Sequence, residues 1–332
     1  MSTEFDVAVI GGGIAGASAA AELSRTHSVV LLEQENELAF HTTSRSAAIY
    51  IENEGGRVFH RVSTASRPFF EAEHPELDAP LLDPLPVLKV GDDSLAEEFR
   101  QEAADAGEVT SSIRIIEGSE LLKLCPVLRP EVVTIGMLEP TAASIDVMAL
   151  HQLFIRRATA NGSDIRRAAR VVAMGRQGSH WSVSTEAGDV TATTVVNAAG
   201  AWGDVVATMA GAQPIGLTPM RRTAFTAPIA QDPAAWPFIY SAIEDTHCYF
   251  KPEAGQQLLC SLSDETPSDP CDACAEEIDV AQAIDHINTI STLDLRSVKT
   301  TWAGLRTFAP DRNPVFGWDD TVDGFLWMVG QG

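Results

Sequence analysis

One segment near the amino terminus limits the folds open to this chain more than any other. Phe5-Asp6-Val7-Ala8-Val9-Ile10 is a short apolar run rich in β-branched residues, the pattern of a strand buried in a parallel sheet. Gly11-Gly12-Gly13-Ile14-Ala15-Gly16 follows at once. An Ala-rich helical stretch from Ala17 to Arg25 comes next, then a second strand, Ser28-Val29-Val30-Leu31-Leu32-Glu33. Strand, G-x-G-x-x-G turn, helix, second strand and an acid 17 residues after the last glycine form a complete βαβ unit. The unit predicts an α/β fold with a Rossmann-like parallel sheet that holds a dinucleotide.

Each part of the unit has a physical task. Gly11 permits the tight turn, Gly13 lets backbone approach a pyrophosphate, and Gly16 lets the helix pack against the strand. Ile14 and Ala15 open the helix, whose free N–H groups and positive end suit phosphate. Glu33 can accept hydrogen bonds from ribose hydroxyls, and its charge disfavours a 2′-phosphate, so NADP is not expected. Gln34, beside it, belongs to the same candidate set. Beyond the second strand, Thr43-Ser44-Arg45-Ser46-Ala47-Ala48 is small and hydroxyl-bearing, able to run close to a flat ligand or to be an ordinary polar loop. The motif does not separate NAD from FAD.

Composition removes several classes. A nucleic-acid binder needs basic patches to displace counterions, so the formal charge of −23 argues against nucleic acid and equally against an anionic membrane surface. The apolar run over residues 5–21 is interrupted by Asp6 and by glycines and serines, so no integral membrane segment is expected. Five scattered cysteines do not make a disulfide framework, and no signal peptide precedes the first strand, so the expected setting is the reducing cytoplasm. Cys271-Asp272-Ala273-Cys274 lies in an acidic, Pro-rich stretch and reads as a surface loop with two incidental thiols rather than a zinc or redox motif. The eight histidines lack metal-ligand spacing, so no metal is expected. Further along, Trp181-Ser182-Val183-Ser184 alternates, between Gly178 and the Glu186-Ala187-Gly188 turn, which predicts a small antiparallel meander.

Two later segments sharpen the reading. Thr193 to Trp202 is a buried strand ending in Asn197-Ala198-Ala199-Gly200-Ala201-Trp202. Thr301-Trp302-Ala303-Gly304-Leu305-Arg306 is a strand with an isolated Arg, followed by Asp311, Pro314 and Gly317. With the amino-terminal unit, these motifs resemble the D-amino-acid-oxidase-like family of FAD-dependent oxidoreductases, and most of all its bacterial D-arginine dehydrogenase type. The likeness runs from Asp6 to the last residue, with a variable patch near residues 230–290.

The resemblance implies a glutathione-reductase-like FAD domain from residues 1–80, 146–214 and 301–332. A second, mixed-sheet substrate domain would use residues 81–145 and 215–300. It implies non-covalent FAD, since Thr307 and Phe308 stand where sarcosine oxidases attach their flavin to a Cys. Val171 and Val172 match an adenine-contacting segment, while Ala199, Gly200, Trp202, Arg306, Gly330 and Gly332 match flavin-contacting positions. Arg306, Arg222 and Tyr249 match the residues that grip a substrate carboxylate, a task the planar guanidinium fork suits. Arg221 and Arg222 alternate faces of a strand, so at most one enters the site.

The implied reaction is hydride transfer from the Cα of an amino acid, a D-amino acid being expected, to flavin N5. Hydrolysis of the imino acid then gives a 2-oxo acid and ammonia, with oxygen or a quinone as the eventual electron acceptor. Glycine, sarcosine or a 2-hydroxy acid is an alternative substrate, and a catalytically silent flavin-binding or partial protein is an alternative of another class. Departures weigh against D-arginine: Val87 replaces a carboxylate that would pair with a guanidinium, Ile49 a His and Glu54 a lid Tyr. A buried cation without a partner costs several kcal/mol, on the order of a lost polar contact or more. Unless Glu52 or Glu54 swings in, the expected substrate is neutral and apolar. Finally, Gly330-Gln331-Gly332 begins a glycine turn that in the resembled family leads into a flavin-closing helix, so the sequence is expected to be incomplete at its carboxy end.

Overall fold

The structure, a computed structural model, describes residues 3–53, 55–106 and 113–332. The amino-terminal unit forms as expected, with strand Glu4–Ile10, helix Ile14–Leu23 and strand Val29–Leu32. The helix starts three residues earlier than its Ala-rich stretch, so Gly16 sits in its first turn.

Glu4–Ile10 lies between Val29–Leu32 and Val190–Asn197, parallel to both. Asp164–Arg166 extends this sheet beyond Val29–Leu32, and Phe325–Val329 pairs parallel with the end of Val190–Asn197. These strands are apolar on both sides because both faces are covered. On one face, Val7, Val9, Val29 and Leu31 meet Ala19 to Ala21 of the first helix and Ala158 of helix Val147–Ala160. On the other, Phe5, Ala8, Val30 and Leu32 cluster with Val206 and Ala207 of helix Gly203–Ala210. The predicted meander pairs Val171–Gln177 with His180–Thr185 and then with Val190 to Ala192. Its first strand begins at Val171. The Ala168 and Ala169 amides bond instead to the carbonyls of Glu35 and Glu33, which ties them to the end of the second strand.

Among the described residues the second sheet has nine strands. Its main path runs Thr266–Pro267, Thr218–Pro228, Gln257–Ser261, Cys248–Glu253, Phe238–Ser241, Val87–Gly91, Ile135–Glu139, Arg114–Glu117. Leu88, Phe225, Ile239 and Phe250 point to one face and form a core with Ala283 and Ile287 of helix Glu277–Ile290. Their strand neighbours Val87, Arg222, Phe238 and Tyr249 point to the opposite face, which bounds a cavity. Thr300–Phe308 pairs along its whole length with Thr218–Pro228. The chain is expected to return to the first sheet at 301; the backbone makes that return at Val315–Trp318, which pairs with Phe325–Val329. A small sheet of Ile49–Tyr50, Ala143–Ile145 and Leu82–Pro84 completes the fold. Among the described residues no helix is long and apolar enough to cross a membrane.

Candidate active site

A cavity of about 700 Å³ opens at the carboxyl ends of the parallel strands, where Ile10, Leu32, Ala198 and Gly330 line it. This is the place where open α/β sheets bind ligands. Gly11, Gly13, Ile14, Ala15, Glu33, Gln34, Thr43, Val171, Ala199, Gly200, Trp202, Gly330 and Gly332 all line it as well.

The glycine turn is held on several sides. Gly11 has φ +106°, and a Cβ there would come within 2.4 Å of the Ala198 carbonyl oxygen. Gly16 does not line the cavity; a Cβ on it would lie 1.8 Å from the Gly11 carbonyl oxygen. Gly13 is different, since its Cβ would meet only Thr43 Oγ1, at 3.3 Å. Gly12, a variable position in the motif, is hemmed in: a Cβ would stand 2.6 Å from Leu38 Cδ2 and 2.9 Å from Glu33 Oε2. The Gly12 amide donates to Glu33 Oε2 (2.7 Å) and the Glu35 amide to Glu33 Oε1 (2.9 Å). Glu33 therefore fixes the turn as well as facing the cavity. Burial pushes its carboxyl up, against the opposing pull of those two amides. His151 Nε2 lies 2.9 Å from the Gly12 carbonyl oxygen, and burial holds its pKa down, which favours the neutral ring.

Three buried polar atoms on residues lining this cavity lack partners: His41 Nδ1, Thr307 Oγ1 and Gln331 Nε2. An unpartnered buried polar atom costs about 1–3 kcal/mol, so a ligand rich in donors and acceptors suits the walls. Aromatic rings add flat apolar surface. His41 packs against Trp202 at 4.6 Å, and Phe69 stacks on Phe154 at 5.6 Å. His41, Thr307 and Gln331 carry no mark of a site in the sequence, and only the fold brings them to this wall; His151 supports the glycine turn without lining the cavity.

The loop from Thr43 to Ala48 divides. Thr43 lines the first cavity and its Oγ1 accepts the Ile14 amide (3.0 Å). Ser44 is exposed and lines neither cavity. Arg45, Ser46, Ala47 and Ala48 line a second cavity. The Arg45 guanidinium is committed elsewhere. It donates to the carbonyls of Ala273 and Ala303 (2.9 Å each) and to Asp272 Oδ1 (2.6 Å), pinning the Cys271–Cys274 loop. Both of those thiols are free and exposed. Val172 is 51% exposed and lines neither cavity, because strand alternation turns it away from Val171.

Thr300–Phe308 separates the two cavities. Leu305 and Thr307 line the first; Gly304, Arg306 and Phe308 line the second, which measures about 1100 Å³. Arg306 thus faces the second cavity, and the expectation that it also lines the cofactor cavity is corrected by the same alternation. Thr42 and Gly332 border both spaces.

The second cavity brings Arg222, Tyr249 and Arg306 together. Arg221, on the other face, pairs with Glu276 and with Asp279 (3.1 Å). Arg222 donates Nε to the Asp264 carbonyl (2.7 Å) and Nη2 to Glu265 Oε1 (3.2 Å). The same Glu265 oxygen takes Arg312 Nη2 (2.9 Å) and stands 3.9 Å from Arg306 Nη1. Burial raises the Glu265 pKa, but the Arg312 hydrogen bond and the charges of Arg312, Arg222 and Arg306 outweigh it and hold the carboxyl below its usual range. Neither Glu265 nor Arg312 was a sequence candidate.

The same cavity has apolar lining beside charged residues such as Lys89, Glu102 and Glu139. Val87 and Ile49 lie there, and Tyr249 stacks on Phe238 at 5.2 Å. Glu54 lies outside the described residues. Glu52 is 5% exposed and engaged by Tyr50 Oη (2.9 Å) and Arg67 Nη1 (3.2 Å), so it does not compensate for Val87. Glu139, the register partner of Val87, also lines the cavity; its carboxylate accepts the Glu52 amide (2.6 Å) and the Asn53 amide (3.3 Å).

A family model described as FAD dependent oxidoreductase (DAO) matches residues 6–332. The chain is 24% identical to hydrogen cyanide synthase subunit HcnC of Pseudomonas aeruginosa, over all of this chain and 88% of that one. Glycine oxidase from Geobacillus kaustophilus shares the fold with a TM-score of 0.86 at 19% identity, covering 99% of this chain and 90% of that one. L-α-glycerophosphate oxidase from Mycoplasma pneumoniae, a structure with FAD bound, gives 0.87 at 18% identity over 99% and 90%. At such identities the structural likeness establishes the fold alone.

Proposed function

This chain belongs to the FAD dependent oxidoreductase family DAO, and from that premise we propose that it oxidises an amino acid, a D-amino acid for preference, at the carbon bearing the amine. FAD is the family's cofactor and fits the first cavity. The backbone of Gly11 to Ala15, Glu33, Thr43 and Val171 would hold it, with the unpartnered Thr307 Oγ1, Gln331 Nε2 and His41 Nδ1 as further contacts. Bound FAD supplies the two-electron acceptor. In this reading the first sheet serves the cofactor and the second sheet the substrate.

The observation that supports amino-acid oxidation most is the convergence of Arg222 and Arg306 on one cavity that adjoins the cofactor cavity across a single strand. Two permanently charged forks fix a carboxylate and leave the neighbouring carbon little freedom. Tyr249, Phe238, Val87 and Ile49 give the side chain an apolar wall that excludes water. The substrate loses hydride from Cα and a proton from the amine. Water then adds to the imino acid, releasing ammonia and the 2-oxo acid.

Anaerobic addition of an amino-acid panel to the FAD-loaded protein tests this. D-Leu and D-Met are expected to bleach the flavin absorbance, and D-Arg more slowly, since Val87 offers its guanidinium no partner. Much faster reduction by D-Arg would overturn the apolar assignment. Glycine, sarcosine and 2-hydroxy acids belong in the same panel, because the carboxylate grip serves them too. Bleaching by none of these compounds would favour a catalytically silent flavin protein.

The mode of cofactor attachment gives a separate prediction. No cysteine lines either cavity among the described residues, and Thr307 and Phe308 follow Arg306. Acid precipitation of the loaded protein is expected to release all of the yellow colour. Flavin absorbance remaining in the washed pellet would show a covalent link.

A further inference from the structure

Three guanidiniums and one carboxylate meet at the polar end of the second cavity. Glu265 Oε1 alone receives Arg312 (2.9 Å) and Arg222 (3.2 Å), with Arg306 at 3.9 Å. That oxygen stands where the arginines' forks converge, the position a ligand carboxylate would seek. We propose that Glu265 is a resident carboxylate that keeps the ligand's place, and that a carboxylate ligand binds by taking Arg306 and Arg222 from it. This rests on the reading of Arg222 and Arg306 as a carboxylate grip.

The geometry orders the exchange. Arg306 is the guanidinium farthest from Glu265, so it meets the ligand first. Arg312 is the nearest, so it retains Glu265; both Arg312 and Arg306 lie over the Phe308 ring, at 3.9 and 4.9 Å. The charge count permits this, because three cations and one anion leave room for a second carboxylate. The backbone beside Glu265 is held independently: Asp264 Oδ1 accepts the Thr223 amide (2.9 Å), and the Asp264 carbonyl accepts Arg222 Nε. Only the Glu265 side chain, one-third exposed, needs to turn. Its charge keeps the forks aligned in the empty site and competes with any carboxylate that enters. It makes Glu265 a positioning residue that sets affinity.

Calorimetric titration of the FAD-loaded protein with propanoate and benzoate reads this without catalysis. Glu265→Gln keeps the shape and removes the competing charge, so both acids are expected to bind about tenfold tighter, equivalent to ~1.4 kcal/mol. Glu265→Asp restores the charge and is expected to return affinity toward wild type. Propanamide, with no carboxylate, is expected to bind all three proteins alike. Unchanged or weaker propanoate binding in Glu265→Gln would overturn the proposal and make Glu265 a structural clasp. If Arg306→Met binds propanoate as tightly as wild type, the carboxylate grip itself fails. If neither wild type nor Glu265→Gln binds either acid, both readings fail.

Discussion

Arg306→Met is expected to lower kcat/KM for amino-acid substrates by about 10²–10⁴-fold, the loss of roughly 3–5 kcal/mol when a charge-assisted fork is removed from a carboxylate. The fold should tolerate the change. Arg306 is one-third exposed, and Glu265 keeps Arg312 and Arg222 after its loss. Stability is expected to move by less than about 1 kcal/mol, the range of exposed ion pairs. Arg306→Lys retains the charge but not the fork and should fall between. Arg222→Met should cost less than Arg306→Met, because Arg222 already spends two donors on Asp264 and Glu265. Arg221→Met, on the opposite face, provides the control. Its ion pairs with Glu276 and Asp279 predict a stability change with little effect on substrate kinetics. Steady-state kinetics on the four substitutions checks the order. Wild-type kcat/KM in Arg306→Met would remove Arg306 from the substrate site.

Features governed by local rules were legible in the sequence. The βαβ unit and its glycines follow from near-neighbour sterics, and helix Val147–Ala160 opens on a local cap, Asp146 accepting the Ala149 amide at 2.8 Å. Strand alternation separated Arg222 from Arg221. The same rule, applied to Val171 and Val172, would have kept only Val171, and applied to Leu305 and Arg306 would have set them in different cavities. What stayed hidden depends on distant segments meeting. Glu265 comes from the acidic stretch that reads as a surface loop, and Arg312 from a turn after Phe308. Nothing in either segment shows that their charges will meet at Arg222. Arg45 shows the converse. Its loop borders the second cavity, but its guanidinium turns to carbonyls at 273 and 303, a direction set by strand packing and absent from its neighbours in sequence.

The glycine turn allows fold and cofactor binding to be separated. In Gly16→Ala the new methyl would stand 1.8 Å from the Gly11 carbonyl oxygen, a backbone atom that cannot turn aside. The helix must lift from the strand. Ala is favoured over Gly inside a helix by about 1 kcal/mol, but overpacking costs about 1–3 kcal/mol, so the clash is expected to prevail or nearly cancel in stability. In either case the helix start and Gly11 shift relative to the cavity, and purified Gly16→Ala is expected to contain little FAD. Gly13→Ala should behave differently. Gly13 is extended, at φ −76°, and its Cβ meets nothing closer than Thr43 Oγ1 at 3.3 Å, so the apo-protein should melt within about 1 °C of wild type, under about 1 kcal/mol. The methyl instead projects where backbone must approach a pyrophosphate, and FAD affinity should fall without loss of fold. Melting of the apo-proteins and the flavin-to-protein absorbance ratio after reconstitution report the two effects independently. Stoichiometric FAD in both variants would mean that the cofactor's phosphates do not rest on this turn.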